Sequence, residues 1–231
     1  MNHIAHNLSA IRERIARASQ ASGRAPEEVL LLAISKTFPV ELIEQAVESG
    51  QCRFGESRVQ EAEGKIPPLR AIPNLEWHLV GHLQSNKARR AAELFDVIHS
   101  LDNVKLAARL DQACREMGKK ISVLLQVDLG GEETKFGTPP EKTAEIIKAL
   151  AAFPSLHLDG LMTIPPFLDD PEQVRPYFRM LRAIKDDMEA RNPGCLGKRH
   201  LSMGMSHDFE VAISEGATIV RIGTAIFGSR Q

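Results

Sequence analysis

Lys36 is the first residue whose type and place could do chemistry. It follows a run of apolar residues, Val29-Leu30-Leu31-Leu32-Ala33-Ile34-Ser35, and precedes Thr37-Phe38-Pro39. The run is bounded, branched and too short for a core helix, so it reads as a buried strand. Pro39 suits the first position of the helical pattern that follows. The carboxyl end of a buried strand, just before a helix, is where parallel α/β folds keep their chemistry. A primary amine there can form a Schiff base with a carbonyl compound. Taken singly, Lys36 is equally a lysine reaching from a strand end to solvent.

A second group lies near the other end of the chain. Leu201-Ser202-Met203-Gly204-Met205-Ser206-His207-Asp208-Phe209-Glu210 is followed by Val220-Arg221-Ile222-Gly223-Thr224. Ser202, Ser206 and Thr224 offer hydroxyls, and Gly204 and Gly223 allow close backbone approach. Ser206 also suits an N-cap of the next helix. Hydroxyls, glycines and a helix start are the parts of a phosphate cradle. Each residue alone is as well explained by a cap or a turn; the cluster points to a phosphate. Arg221 has period-two spacing to Gly223, so both can face the inside of a sheet that closes on itself. A buried arginine needs a partner, either an acid from another strand or a ligand.

A phosphorylated aldehyde satisfies all three features, and pyridoxal 5′-phosphate (PLP) is such a compound. Lys36 takes the aldehyde, the late loops take the phosphate, and Arg221 faces the pyridine nitrogen. Proteins that hold PLP pair that nitrogen with Asp or Arg. Arginine stays charged and cannot accept a proton, so it keeps the nitrogen unprotonated and weakens the ring as an electron sink.

These residues need a frame that brings both ends of the chain together. Short apolar runs at 29–36, 52–56, 76–81, 96–101, 121–129, 156–164, 199–204 and 218–223 alternate with helical patterns at 39–49, 57–65, 85–95, 103–117, 139–152, 171–191 and 207–215. Gly50, Gly118 and Gly216 fall just past helical patterns, where a left-handed cap wants glycine. Sequential βα units imply a parallel sheet. Eight of them in 231 residues predict a (β/α)8 TIM barrel over residues 1–231, with strands seven and eight beside strand one. An open doubly wound sheet is the rival. Ile4, Leu8, Ile11, Ile15 and Ala18 predict an extra amphipathic N-terminal helix, although Arg12, Arg14 and Arg17 also resemble a transit peptide. Pro67-Pro68 and Pro165-Pro166 read as loops.

Composition removes several classes. With 29 basic and 30 acidic side chains and 5% aromatics, neither a nucleic-acid partner nor a single-strand stacking platform is expected. No apolar stretch has membrane-spanning length, so no membrane partner is expected. Cys52, Cys114 and Cys195 show neither disulfide nor zinc spacing, which suggests a reducing, cytoplasmic setting. His78 and His82 have the helical spacing of a metal pair, but their segment reads as a strand, and no metal is expected. Trp77 reads as core, Lys87, Arg89 and Arg90 as a solvated basic face, and residues 130–137 as a mobile loop from which Lys135 reaches outward.

AISKTFP at 33–39, FGESRVQE at 54–61, WHLVGHLQSNK at 77–87, GLMTIPP at 160–166, LSMGMSHDFEVAI at 201–213 and VRIGTAIFGSR at 220–230 together resemble the pyridoxal phosphate homeostasis proteins, relatives of the barrel domain of bacterial alanine racemase. The resemblance implies PLP held as an internal aldimine on Lys36. It implies phosphate contacts from Ser206, Gly223 and Thr224, a ring-nitrogen contact from Arg221, and His78 and Met203 beside the cofactor. The family pattern has asparagine where this chain has Ser57, which keeps a hydroxyl and lacks an amide donor for the ring hydroxyl.

Three functions follow. The resemblance implies a monomeric carrier and buffer of PLP, and of related B6 vitamers, with apo-forms of PLP-dependent enzymes as partners and no efficient turnover. The second is an amino-acid racemase. Such enzymes add a C-terminal domain with a catalytic tyrosine, for which this chain leaves no length after strand eight. Its one tyrosine, Tyr177, lies in a helical pattern, and two-base chemistry needs groups on opposite faces of the substrate carbon. His78, or a residue from a partner chain, is the candidate second base. The third is a Schiff-base aldolase for a sugar phosphate.

Overall fold

The computed structural model describes residues 3–131 and 136–228. Eight short strands alternate with helices: β1 (Leu30–Ile34), β2 (Arg53–Glu56), β3 (Glu76–Leu79), β4 (Val97–Leu101), β5 (Ile121–Gln126), β6 (Leu156–Met162), β7 (His200–Met205) and β8 (Ile219–Ile222). All neighbours are parallel, and β8 pairs back onto β1 from Leu30↔Ile219 to Ala33↔Ile222, closing the barrel. This is the expected (β/α)8 barrel.

The period-two alternation of the strands sorts their side chains into two cores. Leu32, Ile34, Val80, Leu124, Met162 and Ile219 form a small cluster inside the barrel. A larger cluster, including Ala33, Phe54, Trp77, Ile98, Leu201, Met203, Val220 and Ile222, lies between the barrel and its helices. Trp77 is core, with its ring 5.4 Å from Phe54.

The outer layer comprises α2 (Val40–Glu48), α3 (Val59–Leu69), α4 (Ala88–Leu94), α5 (Val104–Glu116), α6 (Thr143–Leu150), α7 (Arg175–Arg191) and α8 (Phe209–Ser214). The N-terminal helix, α1 (His3–Ala21), buries Ile4, Leu8, Ile11, Ile15 and Ser19. It packs on α2, on α8 and on α9 (Thr224–Phe227), a single turn after β8 that the sequence reading did not anticipate. Gly50, Gly118 and Gly216 all have positive φ just past helix ends, as expected of caps.

Three local expectations change. Pro67 and Pro68 lie in the last turn of α3 rather than in a loop. Each proline removes an intrahelical donor, but the fully buried Ile66 and nearly buried Leu69 anchor the turn to the barrel. Pro39 is the N-cap of α2 and not its first residue, with ψ at 164°, because α2 begins only at Val40. Ser206 does not cap α8. Asp208 occupies that position, and its Oδ1 accepts the Met205 amide at 2.6 Å.

The reason lies in β7. Its pairing to β8 shifts register between Ser202 and Met205, and Gly204, with φ of 92°, makes the bend. A Cβ on Gly204 would sit 2.6 Å from the Ala212 Cβ and 2.9 Å from the Phe209 Cα. Gly204→Ala therefore combines a strained φ with overpacking against α8. It is expected to cost roughly 2–4 kcal/mol, read as a lowered urea midpoint at unchanged slope.

Candidate functional site

The order of the barrel brings Lys36, Ser57, Ser206, Gly223 and Thr224 to one rim. They follow the carboxyl ends of β1, β2, β7 and β8, and those four strands are contiguous around the closed sheet. This is the face on which (β/α)8 barrels build sites.

Lys36 is half-buried in the turn after β1. The peptide units on either side of it are held from behind, where α3 crosses the sheet. Lys65 of α3 donates to the Ser35 carbonyl at 2.8 Å, to Glu56 Oε1 at 3.1 Å and to Glu61 Oε1 at 2.5 Å. Glu61 Oε1 in turn accepts the Thr37 amide. Thr37 has φ of 68°, unusual for a residue with a branched Cβ, so the Glu61 contact fixes a strained turn beside Lys36. Phe38 stacks on Phe227 of α9 with ring centres 5.1 Å apart, tying this turn to the end of β8.

Glu56 is fully buried. Its Oε1 accepts from Ser35 Oγ at 2.7 Å, while Oε2 has no hydrogen-bond partner among the described residues. Burial pushes its carboxyl above the usual range, and Lys65 and Ser35 only partly oppose this. Ser57 follows at the strand end, half-buried, and approaches the next loop closely. A Cβ on Gly81 would lie 2.1 Å from the Ser57 carbonyl oxygen.

Arg221 lies inside the barrel, 4% exposed. Nη1 donates to the Ser202 carbonyl at 2.7 Å and to Ser202 Oγ at 2.8 Å, and Nη2 donates to the Thr163 carbonyl at 2.8 Å. All its hydrogen-bond partners among the described residues are neutral, so no buried ion pair of the kind weighed from sequence holds it. Desolvation lowers its pKa to about 10, slightly opposed by Asp208. Asp208 is itself pushed up by burial, against the pull of the Met205 amide and Arg221.

The remaining residues divide. Gly223 sits where an added Cβ would meet the Ile34 carbonyl oxygen at 3.3 Å, so the strand ends of β8 and β1 nearly touch there. Thr224 is exposed at the start of α9, whose own hydrogen bonds begin with the Ile226 amide to the Gly223 carbonyl. Met203 points the other way. It is fully buried in the core between barrel and helices, so it does not join the lumen-facing groups. His78 faces the lumen, where its Nδ1 is 2.8 Å from His99 Nε2. His82 leaves the strand, stacks on Phe136 with centres 3.5 Å apart and faces Asp102, so the pair does not converge as metal ligands would. Arg89 and Arg90 pair with Glu116, Glu63 and Glu93, a solvated ionic face. Lys135 lies outside the described residues.

Glu61, Lys65 and His99 were missed from sequence. His99 left one signal, a ring nitrogen donor in the otherwise apolar run Val97-Ile98-His99. Lys65 left none, since a lysine on a helix normally reads as exposed.

The donor set suits a phosphorylated carbonyl compound. It offers an amine, hydroxyls beside a tight glycine turn, and a buried cation without a carboxylate partner.

Comparison with known proteins agrees. The family model for the alanine racemase N-terminal domain matches residues 4–231. A protein of Aquifex aeolicus named pyridoxal phosphate homeostasis protein is 46% identical over 224 residues, 97% of each chain. Its namesake in Escherichia coli is 43% identical over 236 residues, covering 100% of this chain and 98% of its own. Among solved structures, PipY of Synechococcus elongatus with PLP bound superposes with a TM-score of 0.85 at 38% identity, over 97% of this chain and 100% of that one.

Removing Lys65 leaves Glu56 buried without its cation. Lys65→Met is expected to cost about 3–5 kcal/mol near neutral pH. Glu56, already raised, rises further in that variant, so its fold favours the protonated acid. The deficit therefore shrinks as pH falls through the folded-state pKa of Glu56 toward the unfolded value. Adding Glu56→Gln should recover much of the loss; denaturant titration of the three variants across pH measures both effects.

Proposed function

This chain belongs to the alanine racemase N-terminal domain family, and from that premise we propose that it binds PLP at the β1, β7 and β8 rim and serves PLP homeostasis as a carrier. The observation that carries the reading is Arg221. A permanent charge buried among neutral partners is costly, and it becomes favourable once an anionic ligand with a ring-nitrogen acceptor arrives.

Each residue then has a task that its chemistry permits. Lys36 supplies the amine, presented by a turn that Lys65 and Glu61 hold on both sides. Ser206, Gly223 and Thr224 supply hydroxyls and close backbone to the phosphate. Arg221 donates to the ring nitrogen and, having no acceptor, holds it unprotonated. Ser57 offers a hydroxyl near the ring, and His78 lies further down the barrel. When bound, PLP supplies an aldehyde for Lys36 and an electron-withdrawing ring.

A storage role is supported by the name shared with relatives at 43–46% identity. It is supported further by the absence, among the described residues, of an evident second base across from Lys36. Tyr177 packs against the outer core, and His78 is tied to His99 within the lumen. Related B6 vitamers present the same phosphate and are expected to compete for the rim. The recipients fitting this role are apo-forms of PLP-dependent enzymes, reached by a monomer. Among the described residues no helix is long and apolar enough to cross a membrane.

Incubation with PLP should give a yellow protein. Borohydride reduction and peptide mapping should place the phosphopyridoxyl group on Lys36, and Lys36→Ala should abolish both. Label on surface lysines alone would remove PLP from the rim. Sustained α-proton exchange with any amino acid, lost in Lys36→Ala, would replace the carrier with a racemase.

A further inference from the structure

Five polar groups form a line through the barrel lumen. Arg221 Nη1 is 2.8 Å from Ser202 Oγ, Ser202 Oγ is 2.9 Å from His99 Nδ1, and His99 Nε2 is 2.8 Å from His78 Nδ1. His78 Nε2, buried and without a hydrogen-bond partner, lies 3.5 Å from Glu76 Oε1 at the amino end of β3. The line joins strands β8, β7, β4 and β3. One end is a fixed cation. The other is a carboxylate that His78 and then Arg53 hold at about 2, against the opposing effect of burial.

The charged ends decide where every hydrogen sits. Arginine can only donate, so Ser202 Oγ accepts from Nη1. The serine hydrogen has one remaining acceptor among the described residues, His99 Nδ1. His99 must then carry its hydrogen on Nε2 and donate to His78 Nδ1. His78 carries its own on Nε2, toward Glu76. The reverse order fails at both ends. Ser202 would accept twice, leaving its hydrogen without an acceptor, and a neutral His78 would turn a lone pair toward a carboxylate. A reversed chain with His78 protonated fails at the same serine, which would still accept twice and leave its hydrogen without an acceptor. Burial, and then the nearby Arg221 charge, hold His99 well below its ordinary pKa, hence neutral.

We propose that Ser202, His99 and His78 form a one-way hydrogen-bond chain that starts at Arg221 and ends on a His78 Nε2–H facing Glu76, which locks both imidazoles as Nε2–H tautomers and makes His99 a positioning residue for Arg221. The chain occupies Nη1 fully, and Thr163 takes one hydrogen of Nη2. Nε–H and one Nη2–H are the donors left for a ligand. Without His99, the serine hydroxyl turns and the guanidinium loses its fixed setting. The tautomer assignment stands independently of PLP; the positioning role rests on the PLP reading.

The first measurement is imidazole ¹⁵N NMR of the ligand-free protein, labelled at histidine and assigned with His78→Gln and His99→Gln. Both residues are expected as neutral Nε2–H tautomers, with Ser202→Ala shifting His99 Nδ1. An Nδ1–H tautomer or an imidazolium at either residue overturns the chain. The second is PLP affinity and the position of the visible band. Ser202→Ala, which removes a charge-assisted link, should weaken PLP by about tenfold and move the band, and His99→Leu should act in the same direction. His99→Gln, which keeps a donor and an acceptor on one side chain, should recover part of the loss. Wild-type affinity and spectrum in His99→Leu would end the positioning role with PLP binding intact. Failure of the wild-type protein to bind PLP overturns that role too, together with the PLP reading, and leaves the tautomer result to stand alone.

Discussion

A guanidinium in the barrel lumen is the constraint from which the rest of the site follows. Arg221 cannot shed its charge under ordinary conditions, and the lumen also holds an apolar cluster that includes Leu32, Ile34, Leu124, Met162 and Ile219. The protein answers the charge with dipoles, two backbone carbonyls and one hydroxyl, and with no acid among its hydrogen-bond partners in the described residues. Such a cation is held in place yet not neutralised. A carboxylate in the same position would have completed an ion pair and left little attraction for an incoming anion. Solvation by fixed neutral groups keeps the positive potential available at the rim, a form of preorganisation.

The amine is treated differently. Lys36 stands on a turn that is itself unfavourable, with Thr37 in a left-handed conformation. The turn persists because it is held from two directions, by Lys65 and Glu61 behind the sheet and by the Phe38–Phe227 stack beside it. Both contacts come from elements that share the core of the barrel, so the position of the amine depends on global folding rather than on local sequence. The burial of Glu56 and Lys65 is the energetic counterpart. An ion pair in that place contributes little net stability, and its value lies in fixing the peptide units around Lys36.

How much of this was legible in the sequence depends on the kind of information required. All eight strands were found, because period-two burial leaves a direct trace in residue order. The placing of Lys36, Ser206, Gly223 and Thr224 at one rim was legible for a related reason: barrel topology puts strand ends together, and strand ends can be counted. The proline pair in α3 was misplaced because tertiary anchoring by Ile66 and Leu69 outweighed a local breaking signal. Met203 was misplaced because the register shift at Gly204 and the alternation along β7 set its direction, and resemblance at a motif position does not report direction. Lys65 and His99 escaped because the partners that give them their roles, the Ser35 carbonyl and Ser202, are 30 and 103 positions away in sequence, and a partner brought in by folding has no local signature.

On the proposed reading, an arginine in place of an acid as ring-nitrogen partner would constrain what the site can do well. With the nitrogen unprotonated, carbanion stabilisation weakens, whereas attachment of the aldehyde to Lys36 is unaffected. An enzyme built on this frame must therefore gain its rate from well-placed bases on both faces of a substrate carbon. Two histidines described in the lumen, His78 and His99, are committed to each other. A frame that kept the grip on the cofactor without a second base would retain affinity without directed chemistry. That combination suits keeping a reactive aldehyde bound and available, and it follows from residues that face the lumen rather than from the fold, which enzymes and carriers share.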